Sequence, residues 1–391
     1  MKISRLSVSL LLVGVLVFTG QSCGGKTSTD AGGVYYSDDL AETWIPKIFV
    51  SQDAKATTTL APINGLKLRV DPKNRDVMYM TTSENGVYKT FNRGEQWLQT
   101  GISTGLVRDL QVHPLNSEIL YMTYGTSVLK SGDAGATWES IYTDPEGGEP
   151  TRIAIDWFNP QRLIIGTTQG IVLVSADEGI NWTVTGDFEG PITDLLMSPT
   201  DSRVLYVTEF ETSIHYSDNG GESWKDLFQR QLKDGETDKA LILAQQTWDA
   251  FLSANPNFHQ VESLFFDAND SERLLAVTAE GIFESRDRGF SWKFIQTLIS
   301  KGASENKSIR ALATVPGAPG LLYFSLNNEI HKSPDNGQTW KTIDNFPVNG
   351  IINALVPEYL TEEDTESNVM FAVLENPPKP KRTFFQVVPT E

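Results

Sequence analysis

Three arginines, a set of repeated aspartates and a single cysteine are the residues in this chain whose types and spacing could do chemistry. Aligning the short apolar strands that recur along the sequence puts Arg108, Arg152, Thr193, Glu262, Arg310 and Asn353 at equivalent starting positions, with Leu66 as the one apolar member. Three guanidiniums facing one point would suit a carboxylate or sulfate, which they hold through forked N–H donors. Solvated rim residues are the bland alternative. The aspartates Asp133, Asp177, Asp287 and Asp335 recur once per repeat. Calcium ligation and paired acid–base catalysis both need carboxylates close together, so one per repeat favours a turn-forming role instead. The histidines His113, His215, His259 and His331 are scattered without metal-ligand spacing. No nucleotide-binding glycine motif and no nucleophile elbow occurs, so no cofactor and no metal are expected.

The elements that would position these residues are repeats. The pattern Ser-x-Asp-x-Gly-x-Thr-Trp is complete at 131–138 and 333–340, close at 175–182, 217–224 and 285–292, and weaker at 90–97 and 37–44. Seven of the nine tryptophans end such a segment: Trp44, Trp97, Trp138, Trp182, Trp224, Trp292 and Trp340. Their spacings of 53, 41, 44, 42, 68 and 48 residues each suit one four-stranded unit. Chemically the segment is a turn. Asp accepts backbone N–H bonds, Gly supplies a positive φ, Ser or Thr bonds locally, and Trp anchors the following strand. Between turns, β-branched and aromatic runs of strand length alternate with turn residues.

These segments resemble the Asp-box (BNR) repeats of sialidases, sortilin-type receptors, xyloglucanases and photosystem II assembly factors. The resemblance implies an all-β fold, a single seven-bladed β-propeller. Its closing blade would join the N-terminal strand at 33–37 to the C-terminal strands at 351–357 and 368–376, leaving no open sheet edge. It also implies that ligands bind on the top face, opposite the Asp boxes, where the arginines would lie. On that face the loops add Glu84, Glu209, Glu211, Glu280 and Glu375, an acidic rim.

The propeller is expected over 33–391, with 377–391 unassigned and a helical insertion at 234–256 that accounts for the 68-residue spacing. Leu241, Ala244, Trp248, Phe251 and Leu252 share one face of that helix. The face either packs on the propeller or, if exposed, makes Trp248 an apolar anchor for a partner.

Residues 1–22 read as an export signal, with Lys2 and Arg5 before an apolar run to Phe18. Gly20-Gln21-Ser22-Cys23-Gly24-Gly25 resembles a bacterial lipoprotein processing site. That resemblance makes Cys23 the lipidated residue, residues 23–32 a flexible tether, and the location the bacterial cell envelope. As the only cysteine, Cys23 cannot form a disulfide within the chain. The net charge of −18, against which nucleic-acid phosphates would be repelled, excludes nucleic acid as a partner.

Two functions remain. A non-catalytic, membrane-tethered binding or assembly scaffold needs only a rigid disc and a protein partner on the top face. A glycoside hydrolase or carbohydrate-binding protein of the sialidase or xyloglucanase type, with a glycan partner, is the alternative. The sialidase Arg-Ile-Pro signature is missing near the N-terminus, its nearest match being Arg152-Ile153-Ala154.

Overall fold

The computed structural model describes residues 30–52, 57–210, 212–228, 239–256, 258, 260–278, 281–295, 309–343, 345–358 and 368–377. The expected signal segment, Cys23, most of the tether and the tail beyond 377 lie outside the described residues.

Seven four-stranded antiparallel sheets make up a seven-bladed propeller. Their innermost strands are Gly65–Asp71, Val107–Val112, Pro150–Ile155, Ile192–Met197, Val261–Asp267, Ile309–Thr314 and Ile351–Pro357. These define blades 1 to 7. Blade 7 is closed as expected: Gly33–Ser37 and Ile45–Pro46 supply its two outer strands, and Val34 and Tyr36 pair with Val373 and Phe371.

The repeat turns explain why the blades hold together. In blade 2 the Ser131 hydroxyl accepts the Gly135 N–H at 2.8 Å and donates to Asp133 Oδ1 at 2.8 Å. Asp133 then accepts the Thr137 N–H at 2.8 Å and the Thr137 hydroxyl at 2.6 Å. Those donors hold the Asp133 carboxyl down at about 2. The turns of blades 3, 5 and 6 repeat this network on Asp177, Asp287 and Asp335. Two successive residues take left-handed backbone, such as Ala134 (φ 57) and Gly135 (φ 91), one more than the sequence pattern implies. In blade 7 Leu40 and Ala41 do so without any glycine, a conformation that disfavours a side chain.

After each turn the tryptophan swings between two blades. The core divides into seven apolar clusters, each made of two consecutive blades and one repeat tryptophan. Trp97 is the most enclosed, fully buried among Val34, Phe371 and Val373 of blade 7 and Leu68, Met78 and Met80 of blade 1. Its indole N–H donates to the Lys47 carbonyl at 2.7 Å.

Two features depart from or refine the expectation. A hairpin of Phe49–Gln52 with Thr57–Thr59 precedes blade 1 and accounts for the long first spacing. The helix forms over Lys239–Ala254, but Trp248 is only 3% exposed. It stacks on Phe251, contacts Phe228 and Phe258, and donates its indole N–H to the Phe228 carbonyl at 3.2 Å. An anchor for a partner must be reachable, so the docking role expected for Trp248 is corrected to packing.

Candidate functional site

Inner strands run antiparallel to second strands and parallel to third ones. Their first residues therefore lie on the face opposite the repeat turns. At that end every inner strand carries a register shift against its neighbour. A β-bulge adds one residue and re-aims side chains. Here it sets two tiers around the channel mouth. The outer tier is Leu66, Arg108, Thr151, Thr193, Glu262, Arg310 and Asn353. The inner tier, one residue on, is Lys67, Asp109, Arg152, Asp194, Ser263, Ala311 and Ala354. The next position, Leu68, Leu110, Ile153, Leu195, Leu264, Leu312 and Leu355, points into the core and is buried in every blade.

This corrects the expected ring at one position. Blade 3 contributes Thr151 to the rim, and Arg152 belongs one step deeper. The core residue Ile153 follows Arg152 directly, whereas Leu110 follows Arg108 by two, so the two arginines are not equivalent.

The outer tier is not a set of free arginines. Arg108 meets Glu149 at 2.6 Å, beside a cavity of about 290 Å³ lined by Gly105, Thr123, Tyr124 and Pro150. Thr151 donates its hydroxyl to the Ile192 carbonyl at 2.6 Å, and the Asn353 amide donates to the Gly65 carbonyl and to Glu375, each at 2.9 Å. The Thr151–Ile192 and Asn353–Gly65 contacts tie one blade to the next, and the Asn353–Glu375 contact lies within blade 7. Glu262 and Arg310 are exposed. The surrounding protein raises the Glu262 carboxyl above its ordinary range, and the neighbouring Arg310 charge opposes that rise.

The acidic rim is also thinner than expected. Glu84 is exposed, whereas Glu209 is 3% exposed and bonds His215 Nε2 at 2.9 Å, with the His215 ring stacked on Phe188. Glu211 and Glu280 lie outside the described residues.

The inner tier holds a charged cluster that sequence reasoning missed. Asp109, 3% exposed, accepts from Lys67 Nζ at 3.2 Å and Arg69 Nη2 at 2.9 Å, both from blade 1. It also takes the Leu110 N–H at 3.0 Å and, from blade 3, the Ile153 N–H at 3.2 Å. Asp194 repeats the device one pair of blades on, accepting Arg152 Nε at 3.1 Å, the Leu195 N–H at 3.1 Å and the Leu264 N–H of blade 5 at 3.2 Å. Each aspartate thus spans three blades. The cations of Lys67, Arg69 and Arg152 outweigh burial and hold the Asp109 carboxyl far below its ordinary range. The remaining arc of the inner tier is small and uncharged: Ser263, Ala311 and Ala354.

The only sequence signal for this cluster is a charged residue immediately before the core position of an inner strand. Chemically the mouth can hold an anion against Arg310 and the cationic arc. Asp109 and Asp194 are occupied by cations and N–H groups, which suits structural ion pairing and not proton transfer. Among the described residues no three His, Cys, Asp or Glu gather as metal ligands.

No family model matches the chain. A curated xyloglucanase of Paenibacillus sp. is 23% identical over 365 residues, covering 79% of this chain and 33% of that protein. The chain thus spans about a third of that relative's length. Among solved structures, YCF48 bound to a D1 peptide aligns with a TM-score of 0.55 at 16% identity, covering 80% of this chain and 93% of that one. The GH74 xyloglucanase of Xanthomonas campestris aligns with a TM-score of 0.59 at 15% identity, covering 88% and 52%. These likenesses are to the propeller fold, which YCF48 and the xyloglucanases share.

Proposed function

We propose that this chain is a non-catalytic, membrane-tethered scaffold of the cell envelope that binds a protein partner at the channel mouth opposite the repeat turns. The observation that carries this reading is the state of the channel carboxylates. Glycoside hydrolysis needs two carboxyl groups at a defined separation, one free to give a proton and one free to attack or activate water. Asp109 and Asp194 are instead saturated by arginine, lysine and backbone donors. Glu149 and Glu375 are bonded to Arg108 and Asn353, and the exposed Glu84 and Glu262 belong to blades 1 and 5, which are not neighbours. What this face offers a partner is the exposed Glu262–Arg310 pair and the cavity over Arg108.

Two further facts support the reading. YCF48, which covers nearly the same extent of chain, has been seen holding a peptide. The described chain also enters on the same face: Ala31 N–H donates to Asn376, and Gly32 N–H to the Ala61 carbonyl, beside the start of blade 1. A lipid on Cys23 would then hold the binding face near the membrane, and a membrane-proximal protein is the fitting partner.

Xyloglucan hydrolysis is the second reading, favoured by the curated relative. Incubation with xyloglucan, read as new reducing ends, separates the two. The scaffold reading expects none above the blank, and release that is lost in an Asp or Glu variant with an unchanged melting temperature would overturn it.

A further inference from the structure

The cavity over Arg108 has hydrogen-bonding capacity that the protein leaves unused. Its walls come from Gly105 and Leu106 before the inner strand of blade 2, Arg108 on that strand, Tyr124, and Glu149 and Pro150 at the entry to blade 3. At about 290 Å³ it stands at the small end of ligand pockets, which begin near about 300 Å³.

Arg108 gives Glu149 a single contact, Nη2 to Oε2 at 2.6 Å. Its other N–H groups have no partner among the described residues, although a guanidinium carries five such donors in a fixed fork. The Tyr124 hydroxyl has no hydrogen-bond partner among the described residues either. Gly105, at φ 83, lets that ring close in, since a Cβ there would lie 2.8 Å from the hydroxyl. Both charged side chains are reachable, Arg108 being 37% and Glu149 43% exposed.

The charges select the ligand. A lone anion drawn to Arg108 would meet Glu149, on a loop that also carries Asp144 and Glu146, in a chain of net charge −18. A lone cation drawn to Glu149 would meet Arg108. A molecule with a carboxylate and an ammonium on the same carbon satisfies both. Leu106 and Pro150 leave an apolar place for a small side chain.

We propose that this cavity binds a free α-amino acid with a small aliphatic side chain, held as its zwitterion. The carboxylate takes the forked N–H groups that Arg108 leaves open, and the ammonium donates to Glu149. Tyr124 donates its hydroxyl to the same carboxylate. The site rests on the reading of this face as a binding surface and gives it a ligand of its own, but its occupancy needs only the chain itself.

The test is isothermal titration of the full chain near neutral pH. L-Alanine and L-valine should bind saturably with a Kd below about 1 mM. N-Acetylalanine lacks the ammonium and alaninamide lacks the carboxylate, so each should bind at least about tenfold more weakly. Glu149→Gln should lose about tenfold in affinity for L-alanine and gain affinity for propionate, because the repelling carboxylate is gone. Arg108→Gln should bind neither. No saturable binding of either amino acid up to about 10 mM overturns the proposal. So does N-acetylalanine or alaninamide binding as tightly as L-alanine, or a normally folded Glu149→Gln chain that binds L-alanine undiminished. Capture of a protein at this face without amino-acid binding refutes the amino-acid site alone, and amino-acid binding without such capture refutes the protein partner alone.

Discussion

Asp109→Ala removes the acceptor on which three blades converge. In the wild-type protein its carboxylate takes two cations from blade 1 and the Leu110 and Ile153 N–H groups of blades 2 and 3. The variant leaves Lys67 and Arg69 facing Arg152 without the intervening charge, and the Ile153 N–H without its acceptor. Breaking a buried charge network from one side costs about 3–5 kcal/mol. For a chain of this size that is a fall of about 4–6 °C in melting temperature. The assay is a thermal or urea melt at pH 7 on wild type, Asp109→Ala and the double variant Asp109→Ala with Lys67→Met. Removing the excess cation should return part of the loss, because the harm lies in charges left unpaired. A single variant within about 1 kcal/mol of wild type would show that channel water solvates these charges separately, and would refute the coupling argued here.

Trp97→Ala should cost about 3–5 kcal/mol, because it opens a cavity between blades 7 and 1 that neither sheet can fill. Trp138→Ala, at a partly buried interblade position, should cost less, and urea midpoints compare the two. The carboxyls of Asp133, Asp177 and Asp335 are depressed by hydrogen bonds from Thr137, Asn181 and Thr339. A depressed carboxyl stabilises the fold above its unfolded value near 4 and loses that contribution as pH falls toward its folded value. Melts between pH 5 and 2 should fall less steeply for Asp133→Ala than for wild type, from a lower start at pH 5; parallel curves would contradict the turn network.

The propeller was legible because its determinants are local and repeated. A Ser, Asp, Gly and Trp at fixed offsets make the turn and fill the blade interface, so seven tryptophans announced seven interfaces. The bulge in each inner strand was not legible, since it is a backbone feature tolerated equally by Leu66, Arg108, Thr151, Thr193, Glu262, Arg310 and Asn353. Arg152 directly precedes its core residue Ile153, whereas Arg108 stands two before Leu110, so aligning the two arginines put Arg152 in the wrong tier. Lys67 and Asp109 escaped notice for another reason: they are 42 residues apart and meet only because blades 1 and 2 are adjacent. The helix around Trp248 shows a third limit. One amphipathic pattern serves equally for packing on a sheet and for docking a partner, and only the Phe228–Phe258 contacts decide between them. The hairpin at 49–59 was hidden inside a spacing attributed to a single repeat.

The central claim is that a protein partner meets the channel mouth and not the face of the repeat turns. Photo-crosslinking residues placed at Glu262 or Glu84 on one face, and at Asn219 or Asn336 on the other, test it in membranes that hold the full chain. The account predicts one discrete adduct from Glu262 and Glu84, little from Asn219 and Asn336, and loss of that adduct when Arg108→Ala and Arg310→Ala are combined in a chain of unchanged melting temperature. A dominant adduct from Asn219 or Asn336 that persists in the arginine double variant would contradict it.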